Sequence, residues 1–173
     1  IALVFLFVAI PLNGAYTYEN ATVFAFMCFY QHFVTEGVAL LLMQKGMGYN
    51  SAKRCMKWSF AWGVFTFVVR FFEYTSTNLE TGFIIYIIWN VIIVLFYLAL
   101  WITPKQHLFR RPAVILYAQF WFWYRLFAIV ATILQYIPHT AAVGNCSYAF
   151  GSVMVFALLE PIVTYYTLLQ DCR

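Results

Sequence analysis

Four ionisable side chains fall inside long apolar stretches of this sequence: Glu36, Arg70, Arg125 and Glu160. Charged residues in membrane segments are rare, and they face the protein interior or a water-filled cavity rather than lipid, so each one suggests a functional site. His32 precedes Glu36 by four residues, which places both side chains on one face of a helix. An imidazole next to a carboxylate has the chemistry to bind a polar ligand or a proton.

Three of the charges are predicted to lie at similar depth in the membrane. A rise of about 1.5 Å per helical residue places Glu36, Arg125 and Glu160 within about one to two turns of one another. We therefore predict a buried polar cluster in which Arg125 pairs with Glu160 or Glu36, and His32 lines a cavity. This cluster either binds a polar ligand or acts as a switch that breaks on activation; the alternative is a static ion pair that fixes helix register and binds no ligand. Arg70 lies nearer the outer surface, where it is expected to snorkel in a mainly structural role.

Glu160 is followed by Pro161, which removes a backbone donor and loosens the helical turn before it. Pro161 is either the hinge of a movable last helix or a static kink, and we include it among the switch residues.

A second feature is the aromatic run Tyr117–Phe127. Most of this run is expected to pack against helices and lipid, and the alternative is that one face lines an apolar ligand pocket.

Membrane helices are needed to position these residues. The chain is 65% hydrophobic and 9% charged, against about 45–50% and about 25% for soluble domains. A helix needs about 20 apolar residues to cross the hydrocarbon core, and five segments are predicted to do so: Ala21–Met43, Met56–Phe72, Gly82–Ile102, Ala113–Ile137 and Tyr148–Leu169. The short apolar segment Ile1–Ile10 is expected to be the end of a further, truncated helix. The prediction is an all-α, polytopic transmembrane bundle, with residues 1–173 forming a single domain of a longer chain.

Basic residues near helix ends predict the orientation of the bundle. The loop after the first full span contains Lys45, Lys53, Arg54 and Lys57, and the loop after the third contains Lys105, Arg110 and Arg111. The alternate loops contain no Lys or Arg. The basic loops and the C-terminus are therefore predicted to be cytoplasmic, in the plasma membrane or an endomembrane. The predicted contact surface for a cytoplasmic effector or for anionic membrane lipids consists of Lys53, Arg54, Lys57, Arg110 and Arg111.

Two glycosylation signals agree with this orientation. Asn20-Ala21-Thr22 and Asn145-Cys146-Ser147 both match the Asn-x-Ser/Thr pattern. Both are expected in loops on the outer side, so Asn20 and Asn145 are predicted glycosylation sites.

Several kinds of site are excluded by residue types. All four lysines lie in the predicted loops, so no retinal-type Schiff base can form within the spans. Only His32 among the three histidines lies within a span, which excludes a multi-histidine metal hydrolase and a bis-histidine haem site. No Gly-x-Ser-x-Gly motif occurs. We expect no enzyme activity, no metal and no cofactor. The net charge of +4 does not indicate a nucleic-acid partner, because most basic residues lie in two short loops.

A family resemblance extends over most of the chain. The matching stretches are, in order, Phe29–Leu42, Ser51–Arg54, Phe72-Glu73, Leu100–Phe120 with Ile102–Lys105 and Arg110–Pro112, and Gly144–Cys146 leading into Phe156–Tyr165. This order resembles helices two to seven of the adipocyte-associated transmembrane protein family, which is similar to G-protein-coupled receptors and related to plant candidate receptors. The resemblance implies a receptor-like seven-helix fold with roughly the first helix and a half missing, extracellular ligand sensing and cytoplasmic signalling. It supplies no ligand-binding residues.

The rhodopsin-like receptor motifs are not present. Met43-Gln44-Lys45 stands at the end of the first full span, where an Asp/Glu-Arg-Tyr motif would lie, and Tyr165 is one place too far from Pro161 for Asn-Pro-x-x-Tyr. The helices can instead relay to a fused cytoplasmic domain. We expect receptor-like signalling, triggered by an extracellular or membrane ligand. The alternatives are a proton- or ion-coupled transporter or channel that uses His32 and Glu36, and a structural subunit of a membrane complex.

Overall fold

The computed structural model describes residues 18–43, 49–75, 79–102 and 112–172. These residues are helical apart from short turns, and no strand occurs among them. The predicted all-α class is therefore confirmed for this part of the chain. Several residues named in the predictions lie outside it, among them Ile1–Ile10, Lys45, Lys105, Arg110 and Arg111, and so does the C-terminal residue Arg173.

Four helices lie close to predicted spans: α1 (Tyr18–Leu42), α2 (Tyr49–Thr75), α3 (Leu79–Ile102) and α4 (Pro112–Tyr136). Pro112 occupies the first position of α4, where its missing N–H costs no intrahelical hydrogen bond. Within the described residues, three helices are long and apolar enough to cross a membrane, through the segments Ala25–Leu42, Glu80–Ile102 and Ala113–Tyr136. These segments belong to α1, α3 and α4.

The start of α2 differs from the prediction. The expectation that Lys53, Arg54 and Lys57 lie in a loop is wrong, because the helix begins at Tyr49 and includes all three. Apolarity marks where a helix enters the hydrocarbon, whereas Lys, Arg and Ala also favour helix in the polar interface. α2 is not among the three described helices that are apolar enough to span. Its predicted span, Met56–Phe72, therefore stays a prediction.

The last helical region begins earlier than predicted, at Ala141 rather than at Tyr148. It consists of α5 (Ala141–Met154), a π-helical turn (Val155–Leu159) and α6 (Glu160–Cys172). A short connection joins α4 to α5, and Thr140 stabilises it with two hydrogen bonds. Thr140 Oγ1 donates to the Leu134 carbonyl at 3.0 Å, and the Thr140 N–H donates to the Ile137 carbonyl at 3.0 Å.

The π-helical turn lies directly before Pro161. The Glu160 N–H donates to the Val155 carbonyl, five residues back, which is the hydrogen bond of a π-helix. Proline has no N–H to continue the α-helical pattern, and π-turns and prolines are both known causes of helix kinks. The helix irregularity predicted at Pro161 is thus present, and it lies in the π-helical turn Val155–Leu159. α5 and α6 are each shorter than a membrane span, so the predicted span Tyr148–Leu169 stays a prediction.

The chain divides into two compact units, residues 1–89 and 90–173, with the boundary inside α3. In the first unit α1 packs along α2, and in the second α4 packs against α5 and α6. Buried residues of the first unit include Ala25, Ala39, Leu42, Tyr86 and Trp89, and those of the second include Ile93, Tyr97, Ala118, Trp121 and Ala128. The prediction of a single domain stays a prediction.

Candidate functional site

Three polar side chains of α1 form a buried cluster: His32, Thr35 and Glu36 are 1%, 0% and 3% exposed. Thr35 Oγ1 donates to Glu36 Oε2 at 2.6 Å, and His32 Nδ1 lies 3.1 Å from the same oxygen. The spacing of four residues brings the imidazole and the carboxylate onto one face of the helix, as the sequence indicates. A hydroxyl and an imidazole thus converge on one carboxylate oxygen.

The contact between His32 and Glu36 can hold a proton in two ways. When the imidazole is neutral and Glu36 is ionised, Nδ1–H donates to the carboxylate. One added proton gives either an imidazolium that donates to the carboxylate or a protonated carboxyl that donates to a neutral Nδ1. The added proton therefore has two alternative positions within one contact.

Aromatic rings of α2 and α3 lie against the cluster. The Trp89 ring meets the His32 ring edge-on at 6.3 Å, and it stacks on Trp62 with 5.1 Å between centroids. Phe65 meets Trp89 at 5.3 Å. The indole Nε1–H groups of Trp62 and Trp89 are buried, and neither has a hydrogen-bond partner within the described part of the chain. This apolar wall lowers the local dielectric, which strengthens the hydrogen bonds to Glu36.

Two contacts from α2 reach α1 within the cluster and one turn after it. Ser59 Oγ donates to the Phe33 carbonyl, and Cys55 Sγ donates to the Leu40 carbonyl at 3.5 Å. The helices approach closely here: a Cβ added at Gly37 would lie 2.7 Å from Ser59 Oγ. Small residues and hydroxyls at a crossing are typical of helix association in membranes. The polar cluster of α1 is therefore held in register with α2.

Arg70 and Glu73 form a second polar contact in the first unit. The expectation that Arg70 snorkels to the surface is wrong: it is 4% exposed, its Nη1 lies 2.6 Å from Glu73 Oε2, and its guanidinium lies 4.5 Å from the Tyr86 ring centroid. The partner was missed, although the spacing of three residues places Arg70 and Glu73 on one helix face. Glu73 follows the predicted span of α2, and burial raises the pKa of its carboxyl while Arg70 opposes the rise.

In the second unit, Arg125 is 4% exposed. Its guanidinium lies 5.7 Å from the Trp121 ring centroid and 5.8 Å from that of Tyr124, so rings of its own helix cover it. Glu160 is half-buried at the first position of α6, and Pro161 is exposed. The predicted pairing of Arg125 with Glu160 or Glu36 stays a prediction.

One face of the aromatic run lines an open groove of about 620 Å³ between α4 and α5. Its walls include Phe120, Trp123, Phe127, Ser147, Phe150 and Val155. The lining is almost entirely apolar, so an apolar molecule is the ligand class that it suits.

The two predicted glycosylation sites lie in helices. The expectation of loops is wrong, because α1 begins at Tyr18 and α5 begins at Ala141, so Asn20 and Asn145 both fall near the start of a helix. Asn145 is exposed. Glycosylation at either residue stays a prediction.

The described residues contain no group of three or more His, Cys, Asp or Glu side chains that could hold a metal ion. In comparisons with known proteins, no family model, no curated protein and no solved structure matches the chain. The function is therefore argued from the site itself.

Proposed function

We propose that this chain is the membrane-embedded helical part of a receptor-like signalling protein. The observation that carries the proposal is the buried cluster of His32, Thr35 and Glu36. It lies in the segment of α1 that is long and apolar enough to cross a membrane, and α2 contacts this segment at Phe33 and Leu40. Buried ionisable groups in a membrane are costly, and their common roles are ligand binding, proton transfer and switching.

The cluster can act as a switch because one oxygen serves two partners. A polar ligand or a proton that engages Glu36 competes with Thr35 and His32 for Oε2, which changes the local structure of α1. Ser59 and Cys55 connect α2 to α1 at Phe33, within the cluster, and at Leu40, one turn after it, so the change reaches the basic first turns of α2. In the proposed topology those turns face the cytoplasm, where an effector or a fused domain would respond.

The second unit supplies a movable element to this proposal. Pro161 and the π-helical turn before it interrupt the regular hydrogen bonding of the last helical region, and π-turns are frequent at functional sites. In the proposed mechanism Arg125 and Glu160 bias the position of α6. The proposed complete fold is a seven-helix, receptor-like bundle, in which α2 and the α5–α6 region also cross the membrane.

Substitution of Arg125 tests the receptor proposal in cells. Arg125→Gln should abolish or lock second-messenger output measured without added ligand, while surface expression stays equal to wild type. Arg125→Lys keeps the charge but loses the planar stacking of the guanidinium, so an intermediate output is expected. Unchanged output with Arg125→Gln, at equal surface expression, would remove Arg125 from the switch.

A proton-coupled transporter is the second candidate, and the shared proton position of His32 and Glu36 favours it. Purified chain in proteoliposomes with an entrapped pH-sensitive dye distinguishes the two candidates. The receptor proposal predicts no proton flux under an imposed pH gradient. Flux that Glu36→Gln removes would establish transport and contradict the receptor proposal.

A further inference from the structure

We propose that the exposed face of the first three turns of α2 binds the phosphate headgroup of an anionic phospholipid. Lys53, Arg54 and Lys57 are all exposed on this face. The sequence contains no acidic residue between Glu36 and Glu73, so no carboxylate of α2 before Glu73 neutralises them. Three cations within two helical turns therefore present a concentrated positive charge.

The packing of α2 on α1 fixes the direction of the lysines. Cys55 and Ser59 are buried and contact backbone carbonyls of α1. Lys53 and Lys57 each precede one of these residues by two positions, which is a rotation of about 200° around a helix with 3.6 residues per turn. Both lysines therefore point away from α1, one turn apart. Arg54 lies beside this row of lysines.

Aromatic and apolar side chains place this face at the membrane interface. Tyr49 is 79% exposed, and the Lys53 ammonium lies 5.9 Å from its ring centroid. Trp58 is 67% exposed, one turn after Arg54, and Met56 and Phe60 are exposed as well. Tyr and Trp concentrate at the headgroup level of a bilayer, with exposed apolar residues on its hydrocarbon side. In the proposed topology, in which α2 crosses the membrane and on which this inference rests, the cations lie at the depth of lipid phosphates. This position favours a lipid over a protein partner.

A multivalent headgroup suits this face best, because the lysines are separated by one turn and the arginine provides a planar donor pair for phosphate. Each cation near an anionic membrane surface contributes about a fivefold factor to binding. A headgroup that engages both lysines should therefore lose about 25-fold in affinity when both are neutralised.

The test uses the full chain in nonionic detergent, titrated with dioctanoyl phosphatidylinositol bisphosphate and, separately, with dioctanoyl phosphatidylcholine. The proposal predicts saturable binding of the first lipid, weakening with salt, and at least tenfold weaker binding of the second. Lys53→Gln/Lys57→Gln should raise the Kd about 25-fold, while Lys53→Arg/Lys57→Arg should leave it within about threefold of wild type. Lys53 and Lys57 are both exposed, so equal thermal midpoints are expected for the wild type and both double variants, and they serve as the folding control.

A matched variant separates this site from general charge attraction. Arg110→Gln/Arg111→Gln removes the same charge from the other basic segment and should change the Kd by less than about threefold. Equal losses in the two double variants would overturn the proposal, because net charge alone would then explain binding. An unchanged Kd in Lys53→Gln/Lys57→Gln would also overturn it and leave the basic face to a protein partner.

Discussion

The two units contain helix crossings that are built in different ways. In the first unit, α1 meets α2 through side chains: Ser59 and Cys55 reach backbone carbonyls of α1, and the space at Gly37 is limited by a serine hydroxyl. In the second unit, α4 meets α5 through backbone: a Cβ at Gly144 would lie 2.6 Å from the Gln135 nitrogen and 2.8 Å from the Ala131 oxygen. Side chains can rearrange at low cost, whereas helix backbones cannot.

This difference assigns different mechanical roles to the crossings. The α1–α2 crossing is adjustable and contains the buried polar cluster, so it suits a part that changes state. The α4–α5 crossing is fixed by backbone contact and by the Thr140 hydrogen bonds of the short connection. The proposed signalling function would use both kinds of crossing, an adjustable one for the switch and a rigid one to hold the rest of the helices.

The largest expected effect is at the rigid crossing. Gly144→Ala places a methyl group against helix backbone, and such overpacking costs about 1–3 kcal/mol, with this position at the upper end. The matched control is Gly82→Ala, where the nearest atom is the Glu73 carbonyl oxygen at 3.2 Å, so under about 1 kcal/mol is expected. Thermal midpoints of the purified variants in detergent check the ranking. Equal midpoints for the two variants would contradict the backbone contact at Gly144.

The adjustable crossing should tolerate loss of a contact much better. Ser59→Ala removes the hydrogen bond to the Phe33 carbonyl, and hydrogen bonds between membrane helices contribute about 0.6 kcal/mol on average. The same substitution removes the hydroxyl that limits space at Gly37, so Ser59→Ala/Gly37→Ala should be more stable than Gly37→Ala alone. Chemical denaturation of the three variants in mixed micelles measures this coupling. Purely additive effects would show that Ser59 and Gly37 do not share the space.

The prediction from sequence was most accurate where apolar runs end in helix breakers. α3 ends at Ile102 and α4 at Tyr136, within one residue of the predicted ends Ile102 and Ile137. In the sequence, Thr103-Pro104 and Pro138 come directly after these apolar runs. The starts of α2 and α5 were missed because interface residues such as Lys53 and Asn145 are compatible with helix, so polarity alone does not end one. The π-helical turn had no signal beyond Pro161 itself.

The contacts of the candidate site, like the helix boundaries, could be predicted only in part from the sequence. The contact of His32 with Glu36 follows from their spacing, which is a property of any helix. Thr35 was missed because adjacent helical residues do not share a face, and its contact depends on the Thr35 and Glu36 rotamers. Arg70 was misplaced because its depth was inferred from distance to the helix end, whereas its partners Glu73 and Tyr86 hold it inside.

The smallest expected effect is a pH dependence at the end of α2. Burial raises the pKa of Glu73 above its ordinary value of 4.5, so the folded chain binds this proton more tightly than the unfolded chain. Stability should therefore fall as pH rises from 4.5 through the raised pKa and then level off. We expect a change below about 1 kcal/mol, the size of a weak ion pair. Thermal midpoints between pH 4.5 and 8 should show this slope, and Glu73→Gln should remove it. A slope that persists in Glu73→Gln would assign it to another group.

In the proposed mechanism the polar cluster of α1 controls the first turns of α2. Hydrogen–deuterium exchange of backbone amides tests this coupling directly. Glu36→Gln weakens the interactions of Oε2 with Thr35 and His32, whereas Glu80→Gln makes the same chemical change at an exposed position. We expect Glu36→Gln to accelerate exchange several-fold in peptides covering residues 49–60 and Glu80→Gln to leave it unchanged. Acceleration confined to α1, with residues 49–60 unchanged, would contradict the claim and indicate a static ion pair.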